Sequence, residues 1–307
     1  MFEYLLEKIR CAKFRDYPYR HILIENFFSD HDFQKIINGT QIKLPKADSI
    51  EDLIGILKTH GWTPRPFGGC TINEKAYIRW RNNKENGYQN VDTCSGFGMA
   101  YDLLEPESKW LKDLRDFLRS EYFFNAIAEI FEITKQPFRI AGGCHKYLSG
   151  YEISPHPDSR NKALTYMINI NSNPLSEREL HHTHYMTLKK RYEYISSYWE
   201  GNPEIDRSWL PWDWCNTVFQ QNKNNSIVIF SPNNKTIHAI NSNYNDLNHQ
   251  RTQFYGNLWY KEYPKLPRPS WSSLRITPKS EVKNASLVWK IRNKLDETTK
   301  SIAERIG

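Results

Sequence analysis

Apolar residues in the first 135 positions recur at helical spacings, broken by one strand-like run, whereas those after 137 gather in short runs. The opening MFEYLLEKIRCAKF has the spacing of a short amphipathic helix. RHILIENFF, residues 20–28, predicts a strand, and a helix follows from a Ser29 cap with Phe33, Ile36 and Ile37 on one face, ending near Gly39. Ser49 and Asp52 ahead of Leu53, Ile54 and Leu57 have the form of a capping box, and Gly61 closes that helix. Two more helices are expected at 108–119, through Trp110, Leu111, Leu114, Phe117 and Leu118, and at 121–131. From 137 the runs FRIAGGCHKYL, ALTYMINI, SIVIF, TIHAI and RTQFYGNLWY are separated by Asn, Pro, Ser and Gly clusters. Many short strands after a helical stretch predict an α+β chain, a sandwich or barrel with helices packed on one side. Three regions result: a mixed, mostly helical 1–136; a β core at 137–260, with 171–224 as a polar and aromatic insertion between two strands; and a C-terminal extension at 261–307 with a charged helix near 281–306.

Charge changes this picture at one place. The chain of 307 residues carries a net +7, and residues 261–307 hold 11 Lys/Arg against 5 Asp/Glu, so six of the seven charges belong to the extension. Basicity is thus a property of a tail, and nucleic acid is not the expected partner. Leu287, Val288, Trp289, Ile291 and Leu295 give the tail an apolar stripe, read as packing on the domain or on a second copy, so a homo-oligomer through this helix is expected. Aromatic content of 14% and the absence of any apolar run near the ~20 residues of a membrane span indicate a folded, water-soluble protein. Five scattered cysteines without a CxxC pair suit reduced thiols, and no cleavable leader is evident, so the expected compartment is the cytoplasm.

Candidate chemistry concentrates in Tyr147-Leu-Ser-Gly-Tyr-Glu-Ile-Ser-Pro-His156-Pro-Asp158. In extended chain, residues i and i+2 share a side, about 6–7 Å apart, so His156 and Asp158 can reach one metal ion. His238, in SPNNKTIHAI on another β run, is the candidate third ligand. Two imidazoles and a carboxylate on one face leave open positions, as in non-haem iron(II) oxygenases. Thirteen residues on, Arg251 opens RTQFYGNLWY and can bind a carboxylate in bidentate fashion. A divalent ion, one aspartate, Arg251 and a dianionic cosubstrate together sum to zero charge, which suits a buried site.

These residues carry a family resemblance. YLSGYEISPHPDSRNKALTYMININ resembles the iron-binding region of the prolyl-hydroxylase-like 2-oxoglutarate/Fe(II) dioxygenases. NSIVIFSPNNKTIHAI with RTQFYGNLWY resembles their distal-histidine and arginine strands, and PYRHILIENFFSDHDFQKI looks like their opening. The resemblance implies a double-stranded β-helix (jelly roll, cupin-like), with N-terminal helices backing the sheet and the C-terminal helix as an appendage. It implies His156, Asp158 and His238 as Fe(II) ligands, Arg251 as the anchor of the distal carboxylate of 2-oxoglutarate, and Tyr147 as a hydrogen-bonding partner of that carboxylate. It implies use of O2 and release of succinate and CO2, with hydroxylation of a small-molecule or sugar-type substrate as the expected outcome. The chain departs from the pattern at SERELHHTHYMTL, where the family has a Gly-Gly-x-Leu turn, and in the longer gap from His238 to Arg251. The rival expectations are a protein- or nucleic-acid-modifying oxygenase of the same chemistry, and a β-barrel binding protein without oxygenase activity.

Other candidates have plainer readings. His181, His182 and His184 cannot all share one strand face and read as a polar loop or cavity rim rather than a second metal site. His145 reads as packing behind the site, and His249 as a weaker competitor of His238. Trp209, Trp212 and Trp214 read as core before substrate platform, and 171–224 is the expected source of substrate contacts.

Overall fold

The computed structural model describes residues 2–83, 97–133 and 138–261. The C-terminal helix, the basic tail and the oligomer expected through them lie outside the described residues.

Four helices begin where a serine accepts a backbone N–H that a helix start leaves unpaired. Ser29 caps α2 (Asp30–Ile37), Ser108 caps α5 (Lys109–Leu118) and Ser120 caps α6 (Glu121–Ile130). At α3 (Ile50–Thr59), Ser49 accepts from the Asp52 amide while the Asp52 carboxylate accepts from the Asp48 amide, a reciprocal cap displaced by one residue from the usual box. The opening helix is α1 (Glu3–Cys11), and α4 (Glu74–Asn83) had no counterpart in the sequence reading.

Two antiparallel sheets carry the rest. The seven-stranded sheet takes β1 (His21–Glu25), β2 (Trp62–Arg65) and β3 (Ala100–Leu103) from the region expected to be mostly helical. From the β-rich part it takes β4 (Phe138–Tyr147), β6 (Lys162–Asn169), β9 (Ser226–Phe230) and β11 (Arg251–Tyr260), in the order β1-β9-β6-β11-β4-β3-β2. The four-stranded sheet is β5 (Glu152–His156), β10 (His238–Asn241), β7 (Thr183–Leu188) and β8 (Cys215–Gln220), in that order. Apart from the β7–β8 step, successive strands from β4 to β11 change sheets, a jelly-roll-like arrangement.

The stretch 171–224 is therefore not an insertion: it supplies β7, β8 and the helix α7 (Tyr194–Gly201), and with them half of the smaller sheet. Trp209 is also not core; it is 40% exposed, while Trp212 and Trp214 pack beside Trp199 and Leu210.

Period-two alternation sorts the large sheet into two faces. Leu164, Tyr166 and Ile168, with Ile227, Ile229, Phe254 and Leu258, join the helices in the main core. Phe123 and Phe124 of α6 lie 5.6 and 5.7 Å from the Tyr166 ring. The intervening residues, including Tyr147, Met167, Arg251, Gln253 and Tyr255, face a cavity shared with the small sheet.

Candidate metal centre

β5 and β10 pair so that His156 and His238 are direct cross-strand partners, and their rings stand 4.5 Å apart. Each imidazole is oriented by its own strand. His156 Nδ1 lies 2.8 Å from the Ser154 carbonyl, and His238 Nδ1 lies 3.1 Å from the Thr236 carbonyl. A carbonyl only accepts, so both Nδ1 atoms carry the proton and both Nε2 atoms offer a lone pair. Burial, with His238 alongside, pushes His156 down to about 3, and burial lowers His238 as well. Both rings are neutral at physiological pH, the form that binds metal.

Asp158 completes the group, and one ligand atom from each residue lies within 4.8 Å of the others. Its Oδ2 accepts from Thr165 Oγ1 at 2.7 Å. The same hydroxyl stands 2.9 Å from Asn257 Oδ1, so its one proton has two acceptors within reach, of which the charged carboxylate is the stronger. Oδ1 accepts from the Lys162 ammonium. Burial works against the ionised carboxylate, but Lys162, His238 and His156 together hold its pKa below the usual range. The donor set suits one divalent ion: two neutral imidazole nitrogens and an anchored carboxylate, the composition of mononuclear non-haem iron sites.

Arg251 lies in the same cavity. The residue is 3% exposed, and its guanidinium donates to Thr183 Oγ1 at 3.0 Å and sits over the Tyr147 ring at 4.8 Å. No carboxylate among the described residues pairs with it, an expensive state for a buried cation and one that an anionic ligand would relieve.

Tyr147 is set by a chain of donors. Arg65 Nη1 is 2.5 Å from His145 Nε2, and His145 Nδ1 is 3.1 Å from the Tyr147 hydroxyl. Arginine can only donate, so Nε2 accepts, Nδ1 carries the ring proton and the tyrosine oxygen accepts it. The Tyr147 proton is then free to point away from His145. Burial, reinforced by Arg65, keeps His145 neutral, with its pKa well below the ordinary histidine value. Gly143 gives this network room: a Cβ there would lie 2.9 Å from Asp102 Oδ1 and 3.1 Å from His145 Nε2.

The structure thus brings His156, Asp158, His238, Arg251 and Tyr147 to one cavity and leaves the other histidines apart. His181 and His182 are buried with rings 4.5 Å apart, while His184 turns to Thr217 and Trp212. His249 lies 3.8 Å from Glu179, away from the triad. Among the described residues, His156, Asp158 and His238 are the one group able to hold a metal. Sequence reasoning missed Lys162, and its charge sum needs correction accordingly. Alternation would place Lys162 on the helix side with Leu164 and Tyr166. A bulge opposite Leu258 and Trp259 skips Ala163 and turns Lys162 into the cavity.

Fold and site together define a jelly-roll-like protein with a cavity suited to one divalent ion beside an anion. No family model matches the chain, and no curated protein matches its sequence. Solved structures similar to it include a prolyl-4-hydroxylase of Pseudomonas putida, at 7% identity over 85% of this chain and 100% of that one, with a TM-score of 0.40. The epimerase SnoN, in complex with Fe3+, alpha ketoglutarate and nogalamycin RO, is similar at 11% identity over 91% of this chain and 90% of its own, with a TM-score of 0.39. An oxidoreductase of the 2OG-Fe(II) oxygenase family from Burkholderia pseudomallei is similar at 10% identity over 69% of this chain and 91% of that one, with a TM-score of 0.29. No helix among the described residues is long and apolar enough to cross a membrane.

Proposed function

We propose that this protein is an Fe(II)- and 2-oxoglutarate-dependent dioxygenase that hydroxylates a small molecule, built on a double-stranded β-helix. One observation carries the reading: a two-histidine, one-carboxylate group and a buried arginine without a carboxylate partner face the same cavity. A metal-binding β protein with no further chemistry would have no use for the arginine. The strand order supports the fold assignment, since β4 to β11 divide equally between the two sheets.

In this reading His156, Asp158 and His238 hold the ion, and Thr165 keeps one carboxylate oxygen turned to a fixed donor. Arg251 and Thr183 take the distal carboxylate of 2-oxoglutarate, with the Tyr147 hydroxyl as a further donor. Bound iron(II) with 2-oxoglutarate and O2 supplies the oxidising power: the oxo acid leaves as succinate and CO2, and one oxygen atom passes to the substrate. The protein's part is to orient these groups and exclude water. Asp158 and His238 are 4% and 8% exposed, so a slender group of a small molecule reaches them more readily than the surface of a folded protein.

Anaerobic addition of Fe(II) and 2-oxoglutarate should give a visible charge-transfer band that His156→Ala and His238→Ala both lose. A band retained in the two variants would overturn the assignment.

A further inference from the structure

Lys162 has no part in the chemistry just described, yet its ammonium lies within the cavity. The side chain is 11% exposed and its ammonium lies over aromatic rings: Nζ is 5.8 Å from the Tyr255 ring centre and 5.2 Å from that of Trp259. Nζ donates to Asp158 Oδ1 and to the Tyr255 hydroxyl at 3.1 Å. Bonded to a carboxylate oxygen and a phenol oxygen, the ammonium is a resident charge.

Charge in the cavity does not balance. Among its lining residues Asp158 is the one carboxylate, and it faces two cations, Lys162 and Arg251. A divalent ion and the dianion of 2-oxoglutarate cancel each other, so the fully loaded site keeps one surplus positive charge. Loading also changes the partner of Lys162. A cation held by Asp158 competes for the carboxylate that the ammonium bonds in its absence. A buried ammonium beside a like charge is costly unless an anion meets it.

The geometry points to Lys162 as the anchor for an anionic oxygen group, a carboxylate or a phosphate, carried by the substrate. This rests on the iron and 2-oxoglutarate reading above and names the substrate class it serves. The Tyr255 hydroxyl, already 3.1 Å from Nζ, is the second polar contact for such a group, and the face of Trp259 supports the lysine from below. Arg251 remains committed to the cosubstrate, so the two cations divide two anions between them.

The test uses the full chain loaded anaerobically with Fe(II) and saturating 2-oxoglutarate. Acetate, methyl phosphate and the neutral acetamide are titrated in turn, and the change in each protein's own charge-transfer band and tryptophan emission is followed. Acetate or methyl phosphate should give a saturable change that acetamide does not, and whichever is tighter identifies the oxyanion. The apparent Kd should rise about ten-fold or more in Lys162→Met, as expected for loss of one charged contact, and stay closer to the wild-type value in Lys162→Arg. Equal responses in wild type and Lys162→Met, or an intact wild-type band that no anion perturbs, would overturn the inference and leave the dioxygenase reading standing. Failure of the wild type to form the band would remove both.

Discussion

Arg65 donates to His145 Nε2 at 2.5 Å, and this contact sets the polarity of the hydrogen bond that His145 makes to Tyr147 3.1 Å from its other nitrogen. Without the arginine, His145 could carry its proton on Nε2 and accept from Tyr147, turning the tyrosine proton back from the cavity. Arg65→Met should therefore weaken 2-oxoglutarate binding by about 1 kcal/mol, the net value of one hydrogen bond. Arg65→Lys, which can still donate, should recover part of the loss. Calorimetry with the iron-loaded protein under nitrogen measures both. Equal affinity in Arg65→Met and wild type would assign the arginine to structure alone.

Arg251 should matter more. Its removal leaves the distal carboxylate of the cosubstrate buried without its cation, so Arg251→Ala should cost about 2–5 kcal/mol in 2-oxoglutarate affinity. Iron affinity should change little, because Arg251 touches none of the three ligands in the hydrogen bonds described. A parallel fall in both affinities would point to collapse of the cavity.

Acid should destabilise this fold early. Eight of its ten histidines, His21, His145, His156, His181, His182, His184, His238 and His249, have pKa values lowered primarily by burial. His181 falls to about 2 and His182 to about 4. As pH drops below about 6.5 the unfolded chain binds protons that the folded one refuses, and each such histidine lowers stability by up to about 1.4 kcal/mol per pH unit. Above about pH 7.5 this contribution is flat. Urea midpoints of the metal-free protein should fall steeply between about pH 6.5 and pH 5, and His181→Phe should flatten the slope by close to one proton. An unchanged slope in that variant would mean that His181 takes up its proton in the folded state.

Packing on the helix side of the large sheet gives a stability prediction independent of the site. Gly256 pairs with Tyr166 across β11 and β6, and a Cβ at 256 would stand 2.3 Å from the tyrosine ring. Phe123 and Phe124 lean on the same ring from α6, so it cannot swing aside freely. Gly256→Ala should cost about 1–3 kcal/mol in a denaturation experiment. Gly55, where a Cβ meets nothing within 4 Å, is the matched control and should tolerate alanine.

Much of this arrangement was legible because strand alternation is a strong signal. His238 and Arg251 open their own β runs and Tyr147 closes another, and pairing of those runs was enough to bring them to one cavity. What alternation could not reveal was a break in alternation: the bulge at Ala163 reversed the face of Lys162 and altered the charge of the site. Arg65 was hidden for another reason. Its strand reads WTPR, and the proline resembles a turn until β2 is found at the end of a sheet, where a missing N–H is tolerated. The strands β7 and β8 were concealed by composition. THYMTL and CNTVFQ mix polar and apolar residues on both faces, because one side of the small sheet meets a polar cavity and the other Trp212, Trp214 and α7.

The helix α4 ties together two connections of the β-rich half. Trp80 fills the space beside Gly150, where φ is +89° and a Cβ would come within 2.3 Å of the indole. Tyr77 donates to the Ser149 carbonyl at 2.7 Å, and Arg81 reaches Asp246 at 2.7 Å, whose other oxygen accepts from the Ser149 amide. One helix therefore fastens the turn that leads into the His156 strand to the loop that leads into the Arg251 strand. The β-rich half is consequently not a portable module. A fragment cut at 137 would lose the clasp between those two connections, and grafting the site onto another jelly roll would require importing α4 along with the strands that bear the ligands.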